Sequence, residues 1–153
     1  MHVTDLGDGS RDAPRLLVEV WLIRPGQSGP EVLMLRRVKE RGRFWQGVSG
    51  KVEPGDSSLT AAARREVSEE TGCRIAEVPF EELPPEQTFE GLDGVWYRKR
   101  SFWAQWPEEA PLEPTLSEEH DASAWLTIPA ARERVQLPAY RDELDRLATA
   151  LTR

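Results

Sequence analysis

The sequence predicts an α/β fold in which helices cover both faces of a sheet, and three observations carry that prediction. Two stretches dense in Leu, Val and Ile flank a Pro/Gly-rich turn, a mid-chain segment shows helical periodicity between a serine and a glycine, and apolar residues recur at helical spacing near the C-terminus. Leu16 to Ile23 and Val32 to Leu35 are the two apolar stretches, and Pro25-Gly26-Gln27-Ser28-Gly29-Pro30 between them is a turn signal, so they are expected to pair as a hairpin. A third extended stretch is expected from about Val95 to Trp106, where Trp96, Tyr97, Phe102, Trp103 and Trp106 place aromatics on both faces, as in a sheet covered on both sides. The mid-chain helix is expected over Ser58 to Thr71, with Ser57 or Ser58 as cap and Gly72 in the terminating position. Loops are expected around Pro84-Pro85 and from Pro107 to Pro114, followed by Ala124-Trp125-Leu126 and a short helix near Pro129 to Arg134. The last helix is expected to begin at Pro138, with Leu137, Tyr140, Leu144, Leu147 and Leu151 forming a stripe that docks on the sheet.

A length of 153 residues suits one domain, expected over residues 15–153 and preceded by a flexible segment over residues 1–14, whose polar, Gly- and Asp-containing composition buries little surface. No apolar run approaches the roughly 20 residues of a membrane-spanning helix. The start lacks the basic and apolar regions of a secretory signal, and Cys73 is the only cysteine, so a reducing, cytoplasmic setting is expected. Twenty basic against 27 acidic residues give a net charge of -7, which disfavours nucleic acid and anionic lipid as partners. Small polyanions remain accessible if a cation mediates.

Chemistry concentrates in Gly50-Lys51-Val52-Glu53-Pro54-Gly55-Asp56 and the helix behind it. On that helix Leu59, Ala63 and Val67 form one ridge, while Ala62, Glu66, Glu69 and Glu70 form another. Carboxylates at i, i+3 and i+4 repel one another by a few tenths of a kcal/mol each when solvated, about. A hard divalent cation offsets that repulsion, and Mg²⁺ takes oxygen ligands from one or two carboxylates while keeping waters and substrate phosphates. A solvated acidic face is the common alternative for such a pattern. Gly50 and Gly55 favour the metal reading, since glycine lets backbone groups approach a ligand, although turn formation is their ordinary role.

This segment resembles the signature of the Nudix hydrolases, G-x5-E-x7-R-E-U-x-E-E-x-G-U with U aliphatic. Gly50, Arg65, Glu66, Val67, Glu69, Glu70 and Gly72 match it, and Cys73 stands at the final U. Two departures are Asp56 in place of the first Glu, and eight residues instead of seven between it and Arg65. A loop before a helix absorbs one residue, whereas a residue inserted within the helix would rotate the carboxylates by about 100°. Phe44-Trp45-Gln46-Gly47-Val48-Ser49 before the signature and Ser117-Glu118-Glu119-His120 with Ala124-Trp125-Leu126 after it are most similar to the bacterial branch of dATP pyrophosphohydrolases and dihydroneopterin triphosphate pyrophosphatases.

The resemblance implies a Nudix-type α/β/α sandwich with a central mixed sheet. It implies that Glu66, Glu69 and Glu70, with a backbone carbonyl at Ser49 or Gly50, ligate Mg²⁺ (or Mn²⁺), that Glu66 and Glu69 take part in catalysis, and that Arg65 braces the glycine segment. The base varies within the family; Glu119 is the loop candidate, with a solvated carboxylate as its alternative. His120 either orients Glu119, touches substrate or is structural. Arg36, Arg37, Lys51, Lys99 and Arg100 are cationic candidates for phosphate, but strand alternation forbids Arg36 and Arg37, or Lys99 and Arg100, from sharing one site. Trp45, Trp96, Tyr97 and Trp103 either stack on a base or pack in the core, and Trp45 is the candidate of these for substrate because it precedes the glycine segment. The implied activity is Mg²⁺-dependent hydrolysis of a (deoxy)nucleoside triphosphate or related triphosphate to monophosphate and pyrophosphate. Alternatives are a dinucleoside polyphosphate or nucleotide-sugar hydrolase, or a nucleotide-binding module without turnover, as monomer or homodimer.

Overall fold

A computed structural model of the chain describes residues 6–75 and 77–152. Strand β1 (Arg15–Gly26) and β2 (Gly29–Arg37) form the expected hairpin, but each runs further, so that Pro25 pairs with Pro30 and Gly26 with Gly29 around a two-residue turn. Strand β3 (Trp45–Gln46) pairs with β2 and β4 (Val48–Lys51) with β1, both antiparallel. Helix α1 (Leu59–Thr71) follows. The short strands β5 (Glu81–Glu82) and β6 (Gln87–Glu90) then line up antiparallel to β7 (Trp96–Gln105). Strand β7 runs parallel to β1 over Arg15 to Ile23, which makes the sheet mixed. Ala124-Trp125-Leu126 lies within a strand, β8 (His120–Thr127), paired antiparallel to β2. Helices α2 (Ile128–Arg134) and α3 (Pro138–Leu151) close the chain.

Alternation along β1 sorts the layers. Val18, Val20 and Leu22 meet Ala62, Ala63 and Val67 of α1, whereas Trp21 and Ile23 meet Ala131, Tyr140, Leu144 and Leu147 of α2 and α3. The fold is thus an α/β/α sandwich, and from Leu16 to Ile23 the central strand is apolar on both sides except at Glu19, which is fully buried. Small residues on α1 let it lie close to the sheet, while Leu144 and Leu147, both at 0% exposure, each contribute roughly 1.5–3 kcal/mol by burial.

Of the N-terminal segment expected to be flexible, residues 1–5 lie outside the described residues. Over the rest, the Leu6 carbonyl accepts from Leu16 N at 3.1 Å and the Gly9 carbonyl from Trp96 N at 2.8 Å. Among the described residues no helix is long and apolar enough to cross a membrane.

Candidate active site

Helix α1 starts at a defined point because the Ser58 hydroxyl accepts from Ala61 N at 3.0 Å, and it ends because Gly72 adopts φ 74°, a left-handed conformation that favours glycine. Those two ends fix the helix's span, and packing of Ala62, Ala63 and Val67 against the sheet sets its rotation, which turns Glu66 and Glu70 inward against β4. A Cβ added to Gly50 would fall 2.1 Å from the Glu66 carboxyl carbon, so the carboxyl rests on the bare backbone of Gly50. Glu70 is fully buried; its Oε1 accepts from Ser49 N at 3.3 Å, and among the described residues no donor reaches Oε2. Burial first, then the adjoining Glu66 carboxyl, hold the Glu70 pKa far above the carboxylate range, and burial raises that of Glu66.

Glu69 stands apart. Its side chain is half exposed and pairs with Arg65 Nη1 at 3.2 Å. Among the described residues no three His, Cys, Asp or Glu side chains converge on one point, so the gathered carboxylates are the pair Glu66 and Glu70.

Arg65 is the hub of this corner. Its Nε donates to Asp56 Oδ1 at 3.0 Å and its Nη2 to Asp56 Oδ2 at 2.9 Å and to the Lys51 carbonyl at 3.0 Å. Nη1 reaches Glu53 at 3.0 Å and Glu66 at 2.9 Å. Asp56, its carboxyl held well below the usual range by Arg65, also accepts from Glu53 N at 2.8 Å, closing the Glu53-Pro54-Gly55-Asp56 turn. The shorter acid and the extra residue therefore leave the Arg65–Asp56 fork intact. Asp56→Ala is expected to lower unfolding free energy by about 1–3 kcal/mol, because it strips a two-point ion pair and a turn bond together. A urea midpoint unchanged from wild type would contradict the brace.

Strand β8 carries the other side. The Glu119 carbonyl accepts from Val38 N at 2.9 Å, and its Oε1 lies 3.1 Å from Arg41 Nη1 and 3.8 Å from Arg37 Nη2. His120 is buried, with Nε2 3.8 Å from Glu70 Oε1 and 3.2 Å from Gln46 Nε2, while Gln46 Oε1 accepts from the Tyr140 hydroxyl at 3.0 Å. Gln46, its oxygen engaged by Tyr140, turns its amide toward His120 Nε2, while among the described residues His120 Nδ1 is buried with no partner. Burial, with Arg37 and Arg41 nearby, pushes the His120 pKa down to about 4, so the ring is neutral at physiological pH.

The remaining candidates separate. Arg36 turns to Asp121 at 2.7 Å and Arg37 to Glu119, as alternation requires. Lys99 is buried against Glu143 while Arg100 pairs outward with Glu82. Lys51 is exposed beside the Arg65 fork. Trp45 packs in the layer of α2 and α3, with Arg36 and Arg134 at 5.8 and 5.1 Å from its ring centroid, and so lies across the sheet from α1. Sequence reasoning passed over Gln46 and Tyr140, whose bond spans 94 positions, and the buried group of Glu19, Lys99 and Glu143. A lone Glu inside the apolar run Leu16 to Ile23 was the available signal.

Residues 14–147 match the NUDIX domain family model. A protein of Myxococcus xanthus named octanoyltransferase is 38% identical over 144 residues, which is 91% of this chain; the chain spans only 38% of the length of that relative. The solved dihydroneopterin triphosphate pyrophosphohydrolase of E. coli superposes with a TM-score of 0.71 at 25% identity, over 86% of this chain and 92% of that one. A C. elegans Ap4A hydrolase in a binary complex gives 0.76 at 19% identity, over 90% and 97% respectively, a likeness of fold.

Proposed function

The chain belongs to the Nudix family, and from that premise we propose that it is a phosphoanhydride hydrolase that cleaves a (deoxy)nucleoside triphosphate, or a related triphosphate, to monophosphate and pyrophosphate with Mg²⁺. The observation that carries the reading is the inward pair of Glu66 and Glu70 over Gly50, with one buried carboxyl oxygen that no described donor reaches. Such a pair is unfavourable when both members are charged, and it fits a hard cation, which would remove the proton and take both oxygens. Glu66, Glu70 and the Gly50 carbonyl would hold it, joined by Glu69 once that exposed side chain leaves Arg65. When bound there, Mg²⁺ would neutralise phosphate charge and make a water easier to deprotonate.

The protein's own groups supply the rest. Arg65 keeps the glycine segment and Glu66 in register. Arg37 and Lys51 hold phosphate oxygens, and Glu119 accepts the proton of the attacking water. A new P–O bond forms to that water, the bridging P–O bond breaks, and its electron pair leaves on the released phosphate oxygen. Neutral His120 keeps Glu70 from gaining a cationic partner. The Myxococcus protein's name describes a chain of which this one matches 38%, so acyl transfer stays outside the reading.

The test is product release with and without Mg²⁺ across nucleoside triphosphates, dihydroneopterin triphosphate, dinucleoside polyphosphates and nucleotide sugars. Pyrophosphate released from a triphosphate only with the metal is the expected result. Binding without release, from a folded sample, would instead make the chain a nucleotide-binding module.

A further inference from the structure

From the last two residues of β2 towards β3 the chain reads Arg36-Arg37-Val38-Lys39-Glu40-Arg41-Gly42-Arg43, five cations and one acid in a protein of net charge -7. The turn is fixed in shape. Lys39 to Arg41 form a single 3₁₀ turn, Arg37 N donates to the Phe44 carbonyl at 2.9 Å, and Arg43 N donates to the Val38 carbonyl at 3.3 Å. Val38 N is tied to the Glu119 carbonyl, and the next residue, His120, lies 3.8 Å from Glu70, so the cationic turn borders the carboxylate pair.

Two guanidiniums, that of Arg37 mostly buried and that of Arg41 half exposed, converge on one oxygen, Glu119 Oε1. Arg37 is held over the Phe44 ring at 5.8 Å, and its buried Nε has no hydrogen-bond partner among the described residues. Glu119 Oε1 stands 3.8 Å from Arg37 Nη2, longer than a hydrogen bond, and because Nε is buried the Nη edge is the part of the fork a ligand can take. A phosphate oxygen pair satisfies such a fork better than a single carboxylate oxygen does, because it offers two acceptors and more charge.

We propose that the Arg37–Arg41 turn is the seat of the outer phosphates of a tri- or longer polyphosphate chain, and that those phosphates displace Glu119 from the two arginines. The turn therefore selects for phosphate-chain length, and a substrate long enough to reach it also frees the Glu119 carboxylate. This rests on the reading of the pair Glu66 and Glu70 as the cleavage site, and it adds to that reading where the rest of the chain lies.

The probe is inorganic tripolyphosphate, with binding followed by calorimetry in the absence of Mg²⁺, alongside steady-state kinetics. Arg41→Gln, at a half-exposed turn position, is expected to weaken tripolyphosphate binding about ten-fold and to raise KM for a triphosphate without raising it for a nucleotide sugar. Glu119→Gln removes the competing carboxylate and is expected to tighten tripolyphosphate about five-fold, the scale of an exposed ion pair, while turnover falls. Equal KM shifts for both substrate classes, or tripolyphosphate affinity unmoved by either variant, would overturn the proposal. Turnover that persists alongside unmoved affinity sinks the inference alone; affinity that moves as stated without any Mg²⁺-dependent turnover sinks the cleavage reading alone.

Discussion

Glu70→Gln is expected to cut Mg²⁺-dependent turnover by roughly 10²–10³-fold while leaving the metal-free protein folded and no less stable. The first half follows from charge. A ligand carboxylate contributes about 3–4 kcal/mol to a metal-stabilised transition state, and each 1.36 kcal/mol is a factor of ten. The second half follows from burial. Glu70 is fully buried beside Glu66 with its pKa driven up, so the metal-free side chain is best satisfied neutral, and Gln has that shape without the charge. Gln also keeps an oxygen for Ser49 N and gains an amide donor for Glu66. The two halves separate by thermal unfolding with and without Mg²⁺: wild type should gain stability with the metal as mass action requires, and the variant should not. Glu69→Gln should give the weaker stability signature, because Glu69 is half exposed and paired with Arg65 in the metal-free state. Undiminished turnover in Glu70→Gln would remove the inward pair from the mechanism.

What the sequence made legible is local. Helix α1 was readable to within a residue because its punctuation is chemical: a serine whose hydroxyl caps the first turn and a glycine that takes the left-handed exit. The inward carboxylates follow from that placement, since spacing fixes which residues share a side. Spacing does not fix rotamers, and the signal for Glu69 turning onto Arg65 was their i, i+4 relation on the helix, which is compatible with pairing without requiring it. Gly50 read as part of a loop because glycine usually marks turns, yet it sits in β4, where its missing side chain makes room for Glu66. Strands β5 and β6 are two and four residues long and mostly exposed, so they form only because β7 offers an edge to pair with. Trp45 shows the same limit from the other side. Its position before the glycine segment suggested the pocket, but the register of a two-residue edge strand sends it beneath α2. Contacts joined by parallel pairing of β1 with β7 depend on a crossover of some eighty positions and leave no local trace.

The group that this crossover assembles sets the largest stability effect. Lys99, 4% exposed, lies between Glu143 and Glu19, both at 0%, with Nζ bonded to Glu143 Oε2 and 3.6 Å from Glu19 Oε1. Glu143 also accepts from Trp21 Nε1 at 3.1 Å and Ser101 Oγ at 2.6 Å, and the ammonium sits 4.6 Å from the Tyr140 ring centroid. Lys99→Met is expected to lower unfolding free energy by about 3–5 kcal/mol, because it leaves the buried Glu143 carboxylate with no cation while preserving apolar volume. Glu19→Gln should be at least as stable as wild type near neutral pH, since burial pushes the Glu19 pKa up to about 8 and the wild-type side chain must take up a proton on folding that Gln does not need. The pH dependence carries the sign. A carboxyl raised from 4.5 to about 8 on folding stabilises fully below the lower value and loses that contribution as pH rises through the upper one. Wild type should therefore weaken between pH 5 and pH 9 relative to Glu19→Gln, as read from urea midpoints at both. If Glu19→Gln instead proves as damaging as Lys99→Met, Glu19 is charged in the native state and the ammonium is shared equally by two anions. Tyr140 makes the distinction matter for the site, because its ring covers Lys99 and its hydroxyl holds Gln46, which in turn holds His120 beside Glu70. A Lys99→Met protein that remains folded should consequently lose order at Gln46 and His120 before it loses the helix that carries Glu66 and Glu70.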